Sequence, residues 1–211
     1  TGVTTVADFR GRDLAAGGQA APLAPLFHRA LLGKTQSGVV LNIGGLANAT
    51  ILNKGQIDHG FDTGPGNTLI DTWCREHLDR PFDTDGEWAR TGNIQPALLS
   101  HWLGDAYFAK APPKSTGREY FNHDWLVANS ASLSRYQPAD IAATLTELTA
   151  VSCAQGIIQN ASAPAKIYVC GGGAHNAFLM ERIQVHSGAY QVTTTQELGI
   201  NTDWIEAAAF A

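Results

Sequence analysis

The strongest constraint on the fold is a pair of β-rich runs broken by two adjacent glycines. Val39 to Ile43 form a β-rich run that is apolar except for Asn42, Gly44 and Gly45 interrupt it, and a second strand-like run extends from Ala47 to Leu52. Such a pattern predicts an antiparallel hairpin, because glycine adopts the turn conformations that other residues avoid. A third strand is predicted near Ile57 to Phe61, so the hairpin begins an antiparallel three-stranded unit.

The rest of the chain alternates between helical and strand-like patterns. Apolar residues at helical spacing predict one helix after the Asp62–Asn67 turn and a long amphipathic helix after Pro138 that ends at the Ala161–Pro164 break. Strand, turn, helix, strand and helix then follow at Lys166–Cys170, Gly171–Gly173, Asn176–His186, Gln191–Thr194 and from Asp203. This order predicts a three-layer α/β domain with a mixed sheet flanked by helices.

The stretch from about Arg80 to Pro138 departs from this alternation. It is rich in Trp, Pro and Gly and predicts a mainly helical, loop-rich insertion.

Charge and composition exclude several classes of partner. The net charge is −5, the pI is about 5.7, and Lys and Arg are scattered, so we expect no nucleic-acid partner. No apolar run approaches the roughly 20 residues that cross a bilayer, and no signal segment opens the chain, which predicts a cytoplasmic protein without a membrane partner. The three cysteines are typical of buried thiols in a reducing compartment. The seven histidines lack metal-ligand spacing, so we predict no metal site made of protein ligands.

Both ends of the sequence look internal. It begins at Thr1 without Met, in a strand-like stretch from Gly2 to Val6, and it stops at Ala211 within a helical pattern. We therefore expect a piece of a longer polypeptide.

Two glycine-rich turns are candidate phosphate or nucleotide sites. Gly44, Gly45 and the nearby Asn48 lie at a hairpin tip, where glycines let backbone amides approach a phosphate, although an ordinary hairpin turn has the same pattern. Gly171 to Gly173 separate a buried strand from the start of a helix near Asn176, where a nucleotide could lie against the backbone. A simple strand-to-helix connection remains the alternative. Neither a dinucleotide-binding fingerprint nor a Walker loop is present in the sequence.

Acidic and basic side chains provide further candidates. Asp62, between a predicted strand and a predicted helix, suits a general base or a ligand of a metal-bound water, or alternatively a turn or helix-cap residue. Glu206 follows Asp203 by three residues, which fits a capping box as well as a substrate contact.

Arg10, Arg12 and Asp13 lie in a polar stretch that also fits a surface loop. The polar segment Lys114–Tyr120 could meet a phosphate or simply order a loop, and the sequence leaves both open.

Taken in order, these segments resemble the anhydro-N-acetylmuramic acid kinase family. The resemblance spans essentially the whole chain and rests on Asp8-Phe9-Arg10, Arg12-Asp13, Gly17-Gly18-Gln19, Ala21-Pro22-Leu23, Leu41–Asn48, Asp62–Asn67, Lys114–Phe121 and Cys170–Gly173.

The resemblance implies the ribonuclease-H-like α/β fold of actin-like ATPases, sugar kinases and heat-shock ATPases, in which two lobes clamp ATP and substrate. Residues 1–38 would then hold the end of the first lobe and the connection between lobes, and residues 39–211 the second, ATP-binding lobe with its insertion at about 80–138. The resemblance implies that the rest of the first lobe, with its Gly-Thr-Ser-x-Asp-Gly type of phosphate loop, lies outside this sequence.

The resemblance also implies roles for individual residues. Asp62 matches the family's catalytic base. The ATP-binding positions would be Gly44, Gly45, Asn48, Gly171, Gly172, Gly173 and Asn176. Arg10, Arg12, Asp13 and Glu206 fall in stretches that would border the sugar pocket.

The implied reaction is ATP-dependent and Mg²⁺-dependent conversion of 1,6-anhydro-N-acetylmuramic acid and water to N-acetylmuramic acid 6-phosphate, in peptidoglycan recycling. Residues 1–211 alone are expected to be inactive, because the missing lobe would carry the other phosphate loop. Two alternatives stay open: a kinase of the same superfamily acting on another amino sugar, and a catalytically silent nucleotide-binding module. A homodimer is also left open.

Overall fold

A computed structural model of the chain describes residues 2, 8–17, 24–33, 37–129, 133–161 and 166–209. The strands within these ranges are β1 (Gly38–Ile43), β2 (Leu46–Asn53), β3 (Gln56–Pro65), β4 (Lys166–Cys170) and β5 (Gln191–Thr194). The helices are α1 (Phe9–Ala15), α2 (Ala24–Leu32), α3 (Thr68–Leu78), α4 (Glu87–Arg90), α5 (Pro96–Leu103), α6 (His123–Ala128), α7 (Pro138–Asn160), α8 (Ala177–His186) and α9 (Ile205–Ala209). Apart from Gly2, the strand predicted from Gly2 to Val6 lies outside the described residues.

The five strands form one mixed sheet in the order β3-β2-β1-β4-β5. The short hairpin connections make β1, β2 and β3 antiparallel, whereas β4 and β5 are parallel to β1 because helices carry the chain back across the sheet. The mixed sheet flanked by helices confirms the predicted fold class, and β4 and β5 have the bounds read from the sequence.

Each face of the sheet buries a different set of side chains, because successive residues of a strand point to opposite faces. On one face Leu41, Phe61 and Val169 belong to a core that includes residues of α7 and α8. On the other face Val40 and Leu52 share a core with residues of α2 and α9. The sheet is therefore the middle of three layers.

Helix α7 is buried on nearly all sides, which differs from the amphipathic helix predicted after Pro138. Every residue from Ile141 to Ala154 is buried. The reason is tertiary: Leu145 packs in a core made with the insertion, while Cys153 packs against the sheet. Among the described helices only α7 has the length and composition to cross a membrane, with a mean hydropathy of 1.4 over a window that is 83% buried inside the protein.

In the described part of the stretch predicted as an insertion, short helices alternate with long loops. It contains α4, α5 and α6 and two short 3₁₀ turns at Thr84–Gly86 and Leu133–Arg135. Its aromatic side chains form a second core, in which Trp102, Phe121 and Trp125 pack with Trp73 of α3. The division between residues 1–38 and 39–211, and the limits of the insertion, remain predictions.

Strand β3 extends further than the sequence indicated. We expected a turn over Asp62–Asn67, but β3 continues to Pro65, and Asp62 pairs with Asn48 of β2. At this edge of the sheet the Asp62 N–H donates to the carbonyl of Lys114 at 3.0 Å. The insertion therefore supplies a backbone partner that no short-range pattern could reveal.

A buried ionic network joins α7 to α8. The side chain of Glu147 is 5% exposed and accepts two hydrogen bonds from Arg182, at 2.6 and 2.8 Å. His186 Nε2 lies 2.6 Å from the same carboxylate. Burial alone would raise the pKa of Glu147, but the hydrogen bonds with Arg182 and His186 outweigh burial and hold that pKa below its ordinary value.

We expect Arg182→Leu to destabilise the protein strongly, because it leaves the Glu147 carboxylate buried with only His186 beside it. The loss of unfolding free energy in urea should lie near the lower end of the ~3–5 kcal/mol typical of broken buried pairs, since 22% of the Arg182 side chain is exposed. Glu181→Gln is the matched control: it removes the exposed Arg90–Glu181 pair and should cost about 0–1 kcal/mol.

The same comparison has a pH signature. Because the folded-state pKa of Glu147 is lowered, its stabilising contribution is present above the ordinary carboxylate pKa and is lost as pH falls through the lowered value. The stability difference between wild type and Arg182→Leu should therefore shrink on acidification. Equal losses of unfolding free energy for Arg182→Leu and Glu181→Gln would show that the Glu147 network contributes no more to stability than an exposed ion pair.

Candidate functional site

A row of polar residues crosses three neighbouring strands at one end of the sheet. Asn42 of β1 pairs with Asn48 of β2, and Asn48 pairs with Asp62 of β3. The row lies on the α2 and α9 face, because Asn42 alternates with the buried Leu41 and Ile43 of the opposite face. The structure thus brings together Asn48 and Asp62, which the sequence singled out separately.

The tip of the β1–β2 hairpin is fixed onto the start of α3. The Gly45 carbonyl accepts hydrogen bonds from the N–H groups of Gly66 at 2.9 Å and Thr68 at 3.0 Å, and the Gly44 carbonyl accepts one from Asn67 at 2.8 Å. A Cβ on Gly66 would clash with the Gly44 carbonyl oxygen. The carbonyl groups of the hairpin tip therefore accept hydrogen bonds from the N–H groups at the start of α3, which would otherwise lack partners.

This arrangement changes the expectation that both glycine amides at the tip are open. The Gly44 N–H donates to the Leu46 carbonyl at 3.1 Å, so it is already engaged. In the described part of the chain no acceptor meets the Gly45 N–H, which leaves that amide as the open donor of the pair.

Asp62 is held in a half-buried position by the insertion. The Thr116 N–H donates to Asp62 Oδ2 at 2.9 Å, and the Tyr107 hydroxyl donates to the Asp62 carbonyl at 2.8 Å. Burial raises the pKa of the Asp62 carboxyl, and the hydrogen bond from Thr116 opposes that rise only in part. The helix-cap alternative is wrong for Asp62, because Asn67 occupies the N-cap position of α3.

The three glycines after β4 have different steric environments. Gly171 has φ +79°, and a Cβ there would lie 2.5 Å from Asn42 Oδ1, while a Cβ on Gly173 would clash with the side chain of Ile43. A Cβ on Gly172 would meet only Asn67 Nδ2, at 3.6 Å. The fold itself requires glycine at 171 and 173, whereas at 172 the space beside the backbone is open.

That open space is part of a cleft of about 410 Å³ between α3, the start of the insertion and the glycine turn. Its lining consists of Asn67, Ile70, Asp71, Phe82, Asp83, Thr84, Asp85, Gly172, His175 and Asn176. Asn176 is also the N-cap of α8, where its side chain accepts from the Leu179 N–H at 2.9 Å. A volume of this size is typical of small-molecule sites.

Asp71 is a cleft residue that sequence reasoning missed. Burial raises its pKa to about 6, and the charges of Arg75 and Arg118 only partly oppose the rise. The neighbouring Asp83 carboxylate accepts hydrogen bonds from the N–H groups of Trp88 and Ala89 in α4. Asp71 follows Asn67 by one helical turn, which places the two residues on the same side of α3. Helical spacing from the Asp62–Asn67 stretch was therefore the signal that could have identified Asp71.

The segment Lys114–Tyr120, whose role the sequence left open, lies against Asp62. Besides the Thr116 contact, its Lys114 carbonyl accepts from the Asp62 N–H, and Arg118 lies beside Gly45. The polar composition of this segment was visible in the sequence, but its placement depends on long-range packing.

For most of the predicted sugar-binding residues the structure describes the backbone but not the side chain. Arg10, Arg12 and Asp13 lie in α1, not in the surface loop that the sequence also allowed, and Arg12 is exposed. Glu206 lies in α9. The side chains of Arg10, Asp13 and Glu206 are outside the described residues, so their contacts with the sugar remain predictions.

The capping box proposed as an alternative for Glu206 is not formed as predicted. Helix α9 begins at Ile205, and Asp203 Oδ1 instead lies 2.8 Å from His175 Nε2.

Comparison with known proteins places the whole chain in one family. The sequence model of the family described as anhydro-N-acetylmuramic acid kinase matches residues 1–211. A protein named anhydro-N-acetylmuramic acid kinase from Coxiella burnetii (strain Dugway 5J108-111) is 49% identical over 214 residues, which cover 100% of this chain and 57% of that protein. The protein of the same name from Aliivibrio fischeri (strain ATCC 700601 / ES114) is 49% identical over 213 residues, covering 100% of this chain and 58% of its own length. The chain therefore spans somewhat more than half the length of these relatives.

Similarity to solved structures is weaker. The activator of the 2-hydroxyisocaproyl-CoA dehydratase from Clostridium difficile with bound ADPNP aligns with 83% of this chain and 60% of its own, at 13% identity and a TM-score of 0.47. A likeness at this level has no bearing on function.

The steric difference between adjacent glycines is testable by substitution. We expect Gly173→Ala to lower the unfolding free energy by about 1–3 kcal/mol, because the added methyl group must displace Ile43. Gly172→Ala should leave stability nearly unchanged, since its methyl group would enter the open cleft. Thermal and urea unfolding of the two variants provide the measurement, and similar losses at both positions would contradict this assignment of the cleft.

Proposed function

Because the chain belongs to the anhydro-N-acetylmuramic acid kinase family, we propose that the full-length protein phosphorylates 1,6-anhydro-N-acetylmuramic acid with ATP and water, giving N-acetylmuramic acid 6-phosphate for peptidoglycan recycling. Residues 39–211 would form its ATP-binding lobe. The turnover is proposed for the full-length protein only, since the resemblance implies a second phosphate loop in a lobe outside these residues. Cytoplasmic location and the absence of nucleic-acid and membrane partners belong to the same proposal, and homodimerisation stays open.

The observation that carries this proposal is the position of Asp62 beside the glycine hairpin. Its carboxylate lies in the polar row next to Asn48, with a pKa raised by burial and one hydrogen bond from the Thr116 amide. A carboxylate whose pKa is raised binds a proton more strongly and is therefore a better general base. Asp62 can therefore accept a proton from a water that attacks C1 of the anhydro sugar, as in an inverting glycosidase.

The chemistry then needs the freed sugar oxygen in line with the terminal phosphate of ATP. Opening of the anhydro bond releases O6, which attacks the γ-phosphorus as ADP leaves, so one water is added and one phosphoryl group is transferred. The protein's contribution is to orient the water, the sugar and the phosphate and to stabilise the developing charge. Arg10, Arg12, Asp13 and Glu206 are proposed to hold the sugar.

The nucleotide is proposed to occupy the 410 Å³ cleft with its phosphates directed to the hairpin tip. The open face of Gly172 lets a nucleotide approach the backbone, and the Gly45 amide is available to a phosphate. Gly44, Asn48, Gly171, Gly173 and Asn176 shape these surfaces, partly through contacts that the fold itself requires.

Mg²⁺ is proposed to accompany ATP. In the described residues no group of three His, Cys, Asp or Glu side chains could hold a metal ion. Mg²⁺ in kinase sites is held largely by phosphates and waters with one or two carboxylates. The half-buried Asp71 in the cleft provides hard oxygen atoms of that kind. When bound, the ion would neutralise charge on the phosphates.

Product analysis in ¹⁸O water tests the proposed reaction. The full-length protein, supplied with the anhydro sugar, ATP and Mg²⁺, should form the 6-phosphate with solvent oxygen at C1. Phosphorylation of a free amino sugar without solvent oxygen would favour the alternative kinase, and nucleotide binding without turnover of either sugar would favour a silent module.

We expect Gly172→Val in the full-length protein to raise the KM for ATP more than the KM for the sugar, because the branched side chain would occupy nucleotide space. Steady-state kinetics with each substrate varied in turn measures both values in one folded variant. An unchanged KM for ATP would rule out a nucleotide role for this turn.

Asp62→Asn should lower kcat by about 10²–10⁴-fold, because the amide keeps the size of the side chain but cannot accept a proton. Ligand binding and the unfolding midpoint should change little. Asp58→Asn, an exposed carboxylate on the same strand, is the control and should leave kcat unchanged. If Asp62→Asn keeps kcat within about tenfold of wild type, below the usual contribution of a general base, the base lies elsewhere, with Glu206 and Asp13 the next candidates.

A further inference from the structure

One segment of the insertion contacts both Asp62 and the glycine hairpin, the two parts of the proposed reaction centre. Its Lys114 carbonyl accepts from the Asp62 N–H at 3.0 Å, and its Thr116 N–H donates to Asp62 Oδ2 at 2.9 Å. These two bonds fix the segment from Lys114 to Arg118, called the bridging segment below, against the edge of β3. Two residues after Thr116 the chain reaches the glycine hairpin.

Arg118 is the residue of the bridging segment that meets the hairpin. A Cβ on Gly45 would lie 3.0 Å from both Arg118 Nε and Nη2, so the guanidinium lies directly over the glycine. Arg118 is exposed. Within the described ranges the structure gives the guanidinium no hydrogen bond and no ion pair within 4.0 Å. Its charge does reach Asp71 in the cleft, where it lowers the pKa of that carboxyl.

An arginine in this position has the properties of a phosphate ligand. Its planar group carries five N–H donors in a fork that matches phosphate oxygens, and none of them is taken by a described protein acceptor. It lies beside the Gly45 amide, the open donor at the hairpin tip. A phosphate at the tip would be met by the Gly45 amide and the Arg118 guanidinium together.

We propose that Arg118 binds the terminal phosphates of the nucleotide, and that the bridging segment fixes the distance between this phosphate contact and the Asp62 carboxylate. The inference rests on the proposed kinase function and adds a phosphate-binding residue outside the two glycine turns. A larger residue at position 45 would press against the guanidinium and shift the Arg118 side chain.

The phosphate contact is tested by nucleotide affinity in the full-length protein, measured by calorimetry with ATP, ADP and AMP. Arg118→Gln should weaken ATP binding by about 10–100-fold, as for the loss of a charged hydrogen bond. AMP binding should change by less than about twofold, because AMP lacks the terminal phosphates. Arg118→Lys, which keeps the charge but loses the fork, should fall between wild type and Arg118→Gln. Arg135→Gln, an exposed arginine elsewhere in the insertion, is the matched control and should change none of the three affinities.

The outcomes separate this inference from the proposed function. If wild type binds ATP and Arg118→Gln binds it equally well, or loses affinity for AMP and ATP alike, Arg118 is not a ligand of the terminal phosphates and the kinase proposal is untouched. If wild type binds no nucleotide, the proposed function fails and this inference fails with it.

The link to Asp62 is tested by the pH dependence of kcat/KM. Thr116→Pro removes the N–H that donates to Asp62 Oδ2, so the pKa of Asp62 should rise further and the acidic limb of the profile should move to higher pH. Thr116→Ala keeps that N–H and should leave the limb in place. The ionisable neighbours, Tyr107 and Lys114, are unchanged in both variants.

A limb that stays in place in folded Thr116→Pro, or that moves equally in both variants, would show that the bridging segment does not act on Asp62. Should Thr116→Pro fail to fold, the comparison of ATP with AMP in Arg118→Gln still decides the phosphate contact.

Discussion

The burial of α7 between the sheet and the insertion is the constraint on which the rest of the structure depends. Its first half packs into the aromatic core of the insertion and its second half packs onto the sheet. Small residues permit this close approach: a Cβ on Gly156 would lie 3.2 Å from Thr63 Cγ2 of β3. The one charged residue among its buried positions, Glu147, is paired with Arg182 and lies beside His186, so its carboxylate is not buried without partners.

The same helix holds the proposed site in place. The Thr149 hydroxyl donates to the Gly66 carbonyl at 2.9 Å, and the Gly66 N–H donates to Gly45 at the hairpin tip. A continuous chain of hydrogen bonds thus runs from the interior helix to the turn proposed to meet phosphate. Because each donor and acceptor is buried or half-buried, displacing the tip would leave polar groups without partners. This rigidity suits a reaction in which positioning provides most of the rate.

Sequence patterns predicted the local elements well and erred where distant partners act. The hairpin, the strand Lys166–Cys170 and the helix after the glycine turn have strong short-range signals, in their apolar periodicity and glycine placement. Helix α7 was predicted as amphipathic, but insertion residues cover the face that would otherwise meet water. Strand β3 was predicted to end at Phe61, but Lys114, more than fifty residues later in the chain, pairs with its edge at Asp62.

For this protein the sequence by itself determined the glycine turns, the strand Lys166–Cys170 and the family resemblance, because these depend on residue types at fixed short spacing. Only the tertiary structure decided which glycine is open to a ligand, since Gly171 and Gly173 are required by contacts with β1 while Gly172 is not. It also decided that Asp71 and Arg118 belong near the same cleft and hairpin. The physical reason is that a charged side chain carries no sequence signal of its partner: its role depends on burial and on neighbours that packing alone brings within reach.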